Sequence, residues 1–284
     1  VSVPALPADV DLFGLTHAGN VRSHNEDHFL IASLHKLLHV QQTSLAEQDY
    51  SELVSDSRGY LFLVADGVGG EPDGHLASET VLRTIADYVT HLMDLYRRLD
   101  PARETEFLEE LAGSVRQSHV ILRERSDRDH GGRGLATTLT MVAVLWPRAY
   151  LVQVGDSRCY RLRDGRLEQL SRDQTVAQAL LDAGALTREE ADRSPFRGVL
   201  ASAVGGPEAS PYTASDDTKR GDVMLLCTDG LTKHVTEREI EQELQHLESA
   251  EAACHRLVDR ALERGGTDNV TVVIGWLRPK GPGR

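Results

Sequence analysis

Cysteine is scarce in this chain, and the three present, Cys159, Cys227 and Cys254, have none of the spacings of a zinc knuckle. Their odd number gives no simple disulfide framework, and two fall inside apolar runs, so reduced, buried thiols are expected. None stands in a phosphate-cradling loop or beside an obvious activating cation, which makes cysteine a poor candidate nucleophile. No serine lies in a nucleophile elbow either. Long hydrophobic runs are missing too: no apolar stretch approaches the ~18 residues that span a bilayer. The opening Val1 to Asp11 lacks a basic start and a signal-peptide core. A soluble, cytoplasmic protein is the expectation. Positive charge is short as well. With Lys+Arg 31 against Asp+Glu 44, the net charge of -13 argues against nucleic acid, whose phosphates reward clustered Lys and Arg. The histidines show no zinc spacing, so His17, His24 and His28 are expected on the surface, with His75 the exception to follow.

What the chain does have is three aspartates at the edges of strongly apolar runs. Leu61 to Ala65 precedes Asp66-Gly67, Val223 to Thr228 precedes Asp229-Gly230, and Val270 to Ile274 follows Asp268-Asn269. Such runs read as buried strands. An Asp-Gly pair alone is an ordinary turn, but a carboxylate at the end of a buried strand needs neutralising, and three from distant stretches suggest a shared cation. A hydrophobic fraction of 40% supports a sizeable core, and a site spanning positions 66 to 268 argues for one domain.

Short strands are expected over 12–16 and 28–32, flanking a polar loop from Gly19 to Asp27, with 33–59 an insertion or long loop. Ala77, Val81, Ile85, Val89 and Leu92 mark an amphipathic helix, and Leu108, Leu111, Val115 and Leu122 a second one after Pro101. Strands follow at Thr138 to Trp146, Tyr150 to Val154, and Arg158 to Leu162, the last joined to Leu167 to Leu170 by an Asp164-Gly165 hairpin. Residues 173–212 read as a surface subdomain with a short helix at Val176 to Ala183 and a capping box at Thr187 and Glu190. A last helix is capped by Thr236 with Glu239, its inner face formed by Ile240, Leu244, Leu247, Leu257 and Ala261. The order of elements predicts an α+β fold, a four-layer α/β/β/α sandwich of two mostly antiparallel sheets. The expected organisation is an N-terminal lead over 1–11, one domain over 12–277 and a flexible tail over 278–284.

Hard divalent cations such as Mg²⁺ and Mn²⁺ prefer oxygen ligands and are held by a few carboxylates, which Asp66, Asp229 and Asp268 could supply. The Gly67 carbonyl could add a ligand, since glycine lets an ion approach the backbone. Paired ions ~3.5–4 Å apart can share a water, depress its pKa and aim it at phosphorus. Arg22 offers a planar fork for phosphate oxygens, and Glu26 and Asp27 could orient waters around the ions. Asp156 with Arg158 is expected to form a structural ion pair in a tight turn.

The motifs taken together resemble the metal-dependent serine/threonine protein phosphatases, the PPM or type 2C family, in its compact bacterial form. They are Arg22-Ser-His-Asn-Glu-Asp27, Val64-Ala-Asp-Gly-Val-Gly-Gly70, Ala136-Thr-Thr-Leu139, Val154-Gly-Asp-Ser-Arg158, Leu226-Cys-Thr-Asp-Gly-Leu231 and Gly266-Thr-Asp-Asn-Val-Thr271, in the family's order. The resemblance implies paired antiparallel sheets between helical layers and hydrolysis of phosphoserine or phosphothreonine by a water bridging two Mn²⁺ or Mg²⁺ ions. It also implies that Asp66 bridges both ions, Gly67 binds the first through its carbonyl, Asp229 and Asp268 hold the second, and Arg22 grips the phosphate. Residues 173–212 would be the family's flap. Partners would be phosphorylated proteins, the serine/threonine kinases it opposes and their substrates, and the expected state is a monomer.

Three departures from the family's pattern matter. Val68 stands where some members carry a histidine proposed as general acid, and valine has no proton to give. Glu71 and His75 exchange acidic and imidazole character, which makes His75 either a substitute acid or, as the favoured reading, a helix-start residue. Arg133-Gly-Leu-Ala136 replaces the stretch that in bacterial members holds a third-ion aspartate; Asp127 or Asp129 could reach in from a preceding loop, with a solvated turn the favoured reading of that loop. Rival readings are a catalytically weak regulatory module that binds a phosphorylated partner, and a two-metal hydrolase of small phosphoesters or nucleotides.

Overall fold

The computed structural model describes residues 10–34, 38–43, 59–68, 73–96, 104–129 and 134–279. In chain order the elements begin with β1 (Val10–His17), β2 (Asp27–Leu34), β3 (Leu38–Thr43), β4 (Gly59–Val68), α1 (Asp73–Tyr96) and α2 (Glu104–Asp129). Next come β5 (Ala136–Thr137), β6 (Leu139–Leu145), β7 (Arg148–Val154), β8 (Arg158–Arg163), β9 (Arg166–Gln169), α3 (Val176–Asp182) and α4 (Arg188–Arg193). The chain ends through β10 (Tyr212–Asp217), β11 (Val223–Cys227), α5 (Asp229–Thr232), α6 (Glu237–Gln245), α7 (Ala250–Glu263) and β12 (Val270–Leu277).

These strands form two sheets, one ordered β1-β12-β11-β8-β9 and the other β10-β7-β6-β4-β2-β3, with β5 paired to the end of β4. Every neighbouring pair is antiparallel. Antiparallel strands usually alternate apolar and polar residues because one face meets water. The central strands here do not, because both faces are covered. On β4, Leu61, Leu63 and Ala65 pack with Val81, Ile85, Leu111 and Val115 of α1 and α2, while Phe62 and Val64 join Met224, Leu226 and Val273 of the other sheet. On the far side, Leu225, Cys227, Val272 and Ile274 pack against Leu257, Val258 and Ala261 of α7. The result is the four-layer α/β/β/α sandwich, with its polar site at the edges of the central strands.

The two predicted helical stripes lie in the core, including Ala77, Val81, Ile85, Val89, Leu111, Val115 and Leu122. Leu92, expected on the same stripe, lies outside the described side chains, as do 1–9, Gly69, Gly70, Glu71, Arg133 and 280–284 outside the described residues. All three cysteines are buried and unbridged, and burial pushes the Cys227 thiol up to about 12.

Four expectations are corrected. The segment 33–59 is not wholly a loop: β2 runs to Leu34, and β3 pairs with it in register from Leu30↔Thr43 to Leu34↔Leu38; residues 44–58 lie outside the described ones. Instead of one last helix there are two, because Ser249 stops the first periodicity and caps α7, accepting from the Ala252 amide. Asp127 and Asp129 sit in the last turns of α2 rather than in a loop. His28 is buried, not on the surface; it points to the helix side, with Nδ1 2.9 Å from Ser78 Oγ, and burial pushes it down to about 4.

Ser249→Ala removes the cap that separates α6 from α7, and loss of an N-cap oxygen costs about 1 kcal/mol. A urea titration followed by circular dichroism should show a lower midpoint with an unchanged slope, and an unchanged midpoint would deny the cap that role.

Candidate metal centre

The polar site is assembled where β2, β4, β11 and β12 end together. Asp27 opens β2 and lies directly across from Asp66 of β4 in the sheet register. Asp66 is fixed by its backbone, not its side chain. Its amide donates to Thr138 Oγ1 (3.0 Å), and its carbonyl accepts from the Thr138 amide (2.9 Å) and from Thr137 Oγ1 (2.8 Å). Thr138 Oγ1 also lies 2.7 Å from Ser157 Oγ, so the Ala136-Thr-Thr-Leu139 motif ties β4 to the turn that carries Asp156.

Close backbone packing excludes a side chain at Gly67 and at Gly230. A Cβ on Gly67 would come 2.3 Å from the Gly74 carbonyl oxygen, so α1 can start against the Asp66-Gly67 edge only if no side chain intervenes. A Cβ on Gly230 would come 1.8 Å from the Asn269 oxygen, which is how Asp229 and Asp268 are brought side by side.

Asn269 holds the loop between β1 and β2 in place. Its Oδ1 accepts from the Glu26 amide (2.8 Å), and its Nδ2 donates to the carbonyls of Ala18 (2.9 Å) and His24 (2.8 Å). The loop thereby presents Arg22 to the site, where Nε lies 2.8 Å from Asp268 Oδ1 while the guanidinium stays half exposed. That hydrogen bond raises the Arg22 pKa further.

Asp229 begins α5 and Asp268 precedes β12. Lys233, one helical turn beyond Asp229, puts Nζ 2.7 Å from Asp229 Oδ2 and 2.6 Å from Asp268 Oδ2. The remaining Asp229 oxygen, Oδ1, is buried with no hydrogen-bond partner. Asp27 shows the same pattern: Oδ2 accepts from Thr228 and Thr271 (2.8 Å each), but Oδ1 is buried and unpartnered. Burial raises Asp66 well above the usual carboxylate range, helped by the charges of Asp27, Asp229, Asp156 and Asp268. Burial likewise pushes Asp27 and Asp156 up to about 7, each with Asp229 adding to the rise. Asp229 is raised by burial despite Lys233. At Asp268 burial pulls upward, but hydrogen bonds and charge from Lys233 and Arg22 outweigh it and the pKa falls.

Of the residues singled out from the sequence, Arg22, Asp229 and Asp268 are in one contact network with Lys233, and Asp66 joins them through mutual electrostatic repulsion. Glu26 is buried behind them, its carboxylate against Gly74 and its pKa raised by burial. Among the described residues no three His, Cys, Asp or Glu side chains close tightly around one point. The oxygens of Asp229 and Asp268 turn to the lysine ammonium and Arg22 instead. The donor set nonetheless fits a hard cation: it is all oxygen, it holds more negative charge than its cations balance, and a buried oxygen of Asp229 has no partner.

The expected ion pair between Asp156 and Arg158 does not form. Arg158 pairs not with it but with Asp173 (2.7 Å) and Glu237 (3.3 Å), which leaves Asp156 facing the site. Asp156, Asp229 and Lys233 line a cavity of about 710 Å³ whose other wall is α3, α4 and the segment after them, including Arg188 and Arg197. Asp156 lies one residue before Ser157, in the Gly-Asp-Ser turn that the Thr138 contact holds, and its only signal in the sequence is that turn between two strands. His75 is exposed on the first turn of α1, with Nδ1 3.2 Å from the Asn25 carbonyl and its ring 4.5 Å from that of His28. Val68 is 37% exposed beside the site.

The family profile for protein phosphatase 2C matches residues 39–269. Serine/threonine protein phosphatase PstP of Mycobacterium tuberculosis is 39% identical over 214 residues, which are 75% of this chain but 40% of that protein. The chain thus spans less than half of that relative's length. Serine/threonine phosphatase stp of Listeria monocytogenes is 29% identical over 263 residues, 91% of this chain and 92% of that one. The crystal structure of the Mycobacterium tuberculosis phosphatase PstP/Ppp superposes with a TM-score of 0.73 at 32% identity, covering 95% of this chain and 99% of that one. A PstP catalytic domain in complex with two manganese ions superposes at 0.70 and 31% identity, covering 95% and 99%. Sequence and fold agree, and the chain belongs to the protein phosphatase 2C family.

Proposed function

We propose that the chain hydrolyses phosphoserine and phosphothreonine in proteins with two bound Mn²⁺ or Mg²⁺ ions, and so opposes serine/threonine kinases. The observation that carries this reading is the meeting of Asp229 and Asp268 beside Arg22, at the strand ends that also hold Asp66. The named relatives, which are serine/threonine phosphatases, and the manganese-bound neighbour support it. Asp66 and the Gly67 carbonyl would hold one ion, and Asp66, Asp229 and Asp268 the other; a third ion has no assigned aspartate among the described residues. Bound there, the ions would supply Lewis acidity and activate the attacking water at neutral pH.

The chain's own residues do the rest. Arg22, already oriented by Asp268, turns its exposed nitrogens to the phosphate oxygens as a bidentate fork. Glu26 and Asp27 fix the surrounding waters from buried positions. Attack on phosphorus breaks the bond to the seryl or threonyl oxygen, and that oxygen takes its proton from a water or from a group other than Val68, which has none to give.

Manganese should sustain phosphate release from a phosphothreonine peptide, far less from a phosphotyrosine peptide, and chelation should abolish it. Mutating groups that merely support metal ligands costs ~10–100-fold, so Asp229→Asn and Asp268→Asn should each lower turnover by at least ~10²-fold with the circular dichroism spectrum retained. Full activity in both variants would refute the mechanism, while binding of the phosphopeptide without turnover would indicate the regulatory reading.

The crowded carboxyls also set a pH dependence. Asp27 and Asp156, raised to about 7, keep protons in the folded chain that the unfolded chain has released, so their contribution is full below the ordinary carboxylate range and is lost as pH rises through about 7. His28, lowered from 6.5 to about 4, and His119, also lowered by burial, work the other way over that interval but are outnumbered by the raised carboxyls Asp27, Asp66, Asp156, Asp229 and Glu26. In chelator the melting temperature should fall from about pH 5 to about pH 7.5, and excess manganese should reverse the fall by binding only the folded state. A melting temperature that rises with pH in chelator would contradict the crowding.

A further inference from the structure

The least expected group at the site is a cation supplied by the chain. Lys233 caps the C-terminus of α5, one turn after Asp229, and its amide donates to the Asp229 carbonyl (2.8 Å), so its side chain leaves the helix on the same face as the Asp229 carboxylate. Its ammonium lies within 2.7 Å of an oxygen on Asp229 and 2.6 Å of an oxygen on Asp268. Those carboxylates are the ones assigned to the second ion. Arg22 takes the other oxygen of Asp268 at 2.8 Å, which leaves Asp229 Oδ1 as the one buried oxygen of the pair without a partner.

We infer that Lys233 is a built-in competitor for the second divalent cation, holding Asp229 and Asp268 together until an ion displaces it. The inference rests on the two-ion reading above. A divalent ion entering between these carboxylates must take oxygens from the ammonium or sit a few ångströms from a positive charge, and either course weakens its binding. The displaced side chain has somewhere to go. Lys233 is 37% exposed and lines the 710 Å³ cavity in front of α3 and α4, where its charge would add to those of Arg188 and Arg197. The lysine thus has two effects of opposite sign: it stabilises the chain without metal and it raises the metal concentration needed for the second ion.

Isothermal titration of the chelator-stripped full chain with Mn²⁺ tests this, together with thermal melting in chelator, for the parent, Lys233→Met and Lys233→Gln. Loss of one nearby positive charge should tighten the weaker manganese site by roughly tenfold, while the melting temperature in chelator drops. A merely structural lysine would give weaker manganese binding on substitution, not tighter. Manganese affinity unchanged or reduced in the variants, with two ions bound by the parent, overturns the competition and leaves the two-ion reading standing. A parent that binds fewer than two ions overturns both. Should one variant not fold, the other decides.

Discussion

Mutual repulsion among carboxylates at the seam between two sheets is the constraint around which this molecule is built. Asp27, Asp66, Asp156 and Asp229 all have their pKa values raised, because burial strips them of water and each adds to the field at another. Such an arrangement is costly in the absence of positive charge. The chain offers two cations of its own, Lys233 and Arg22, and both converge on Asp268, whose pKa alone among these carboxyls is lowered. Asp66 makes no ion pair with either, only a charge attraction to Arg22, and its pKa stays raised, so a divalent cation fits the site.

The scaffold's task is to hold that repulsion in place with backbone contacts. Asn269 bonds the backbone of Ala18, His24 and Glu26, Thr138 bonds the amide and carbonyl of Asp66, and Thr228 and Thr271 both donate to Asp27. Each of these is a strand-end residue, so the site's geometry is inherited from the sheet register. Gly67 and Gly230 complete it by allowing backbone to meet backbone where any side chain would collide. The cores on either side of the sheets make the register rigid, since sliding a strand by one residue would turn its helix-facing side chains to the other sheet.

Much of this was legible in the sequence, because strand-edge aspartates after continuous apolar runs are unusual enough to point at a shared cation. Asp66, Asp229 and Asp268 carry that signal and Arg22 is marked by its polar loop; Arg22, Asp229 and Asp268 lie in one network with Lys233. What stayed hidden had weak local signals. Asp156 sits in a Gly-Asp-Ser turn next to Arg158, and only the fold reveals that Arg158 is taken by Asp173. β10, an edge strand of Thr, Ala, Ser and Asp, carries too little apolar pattern to be seen. His28 reads as polar in sequence, yet on a strand covered on both faces it is buried against Ser78. The break between α6 and α7 lacks glycine or proline, and the apolar spacing runs on from Leu244 to Leu247, so Ser249 passed unnoticed.

The central claim is that distant carboxylates cage a pair of divalent ions at the strand ends. Anomalous scattering from a manganese-soaked crystal tests it directly. Two peaks flanking the Asp66 carboxylate, one reached by the Gly67 carbonyl and the other by Asp229 and Asp268, are predicted; manganese bound elsewhere, or none at the strand ends, would contradict it.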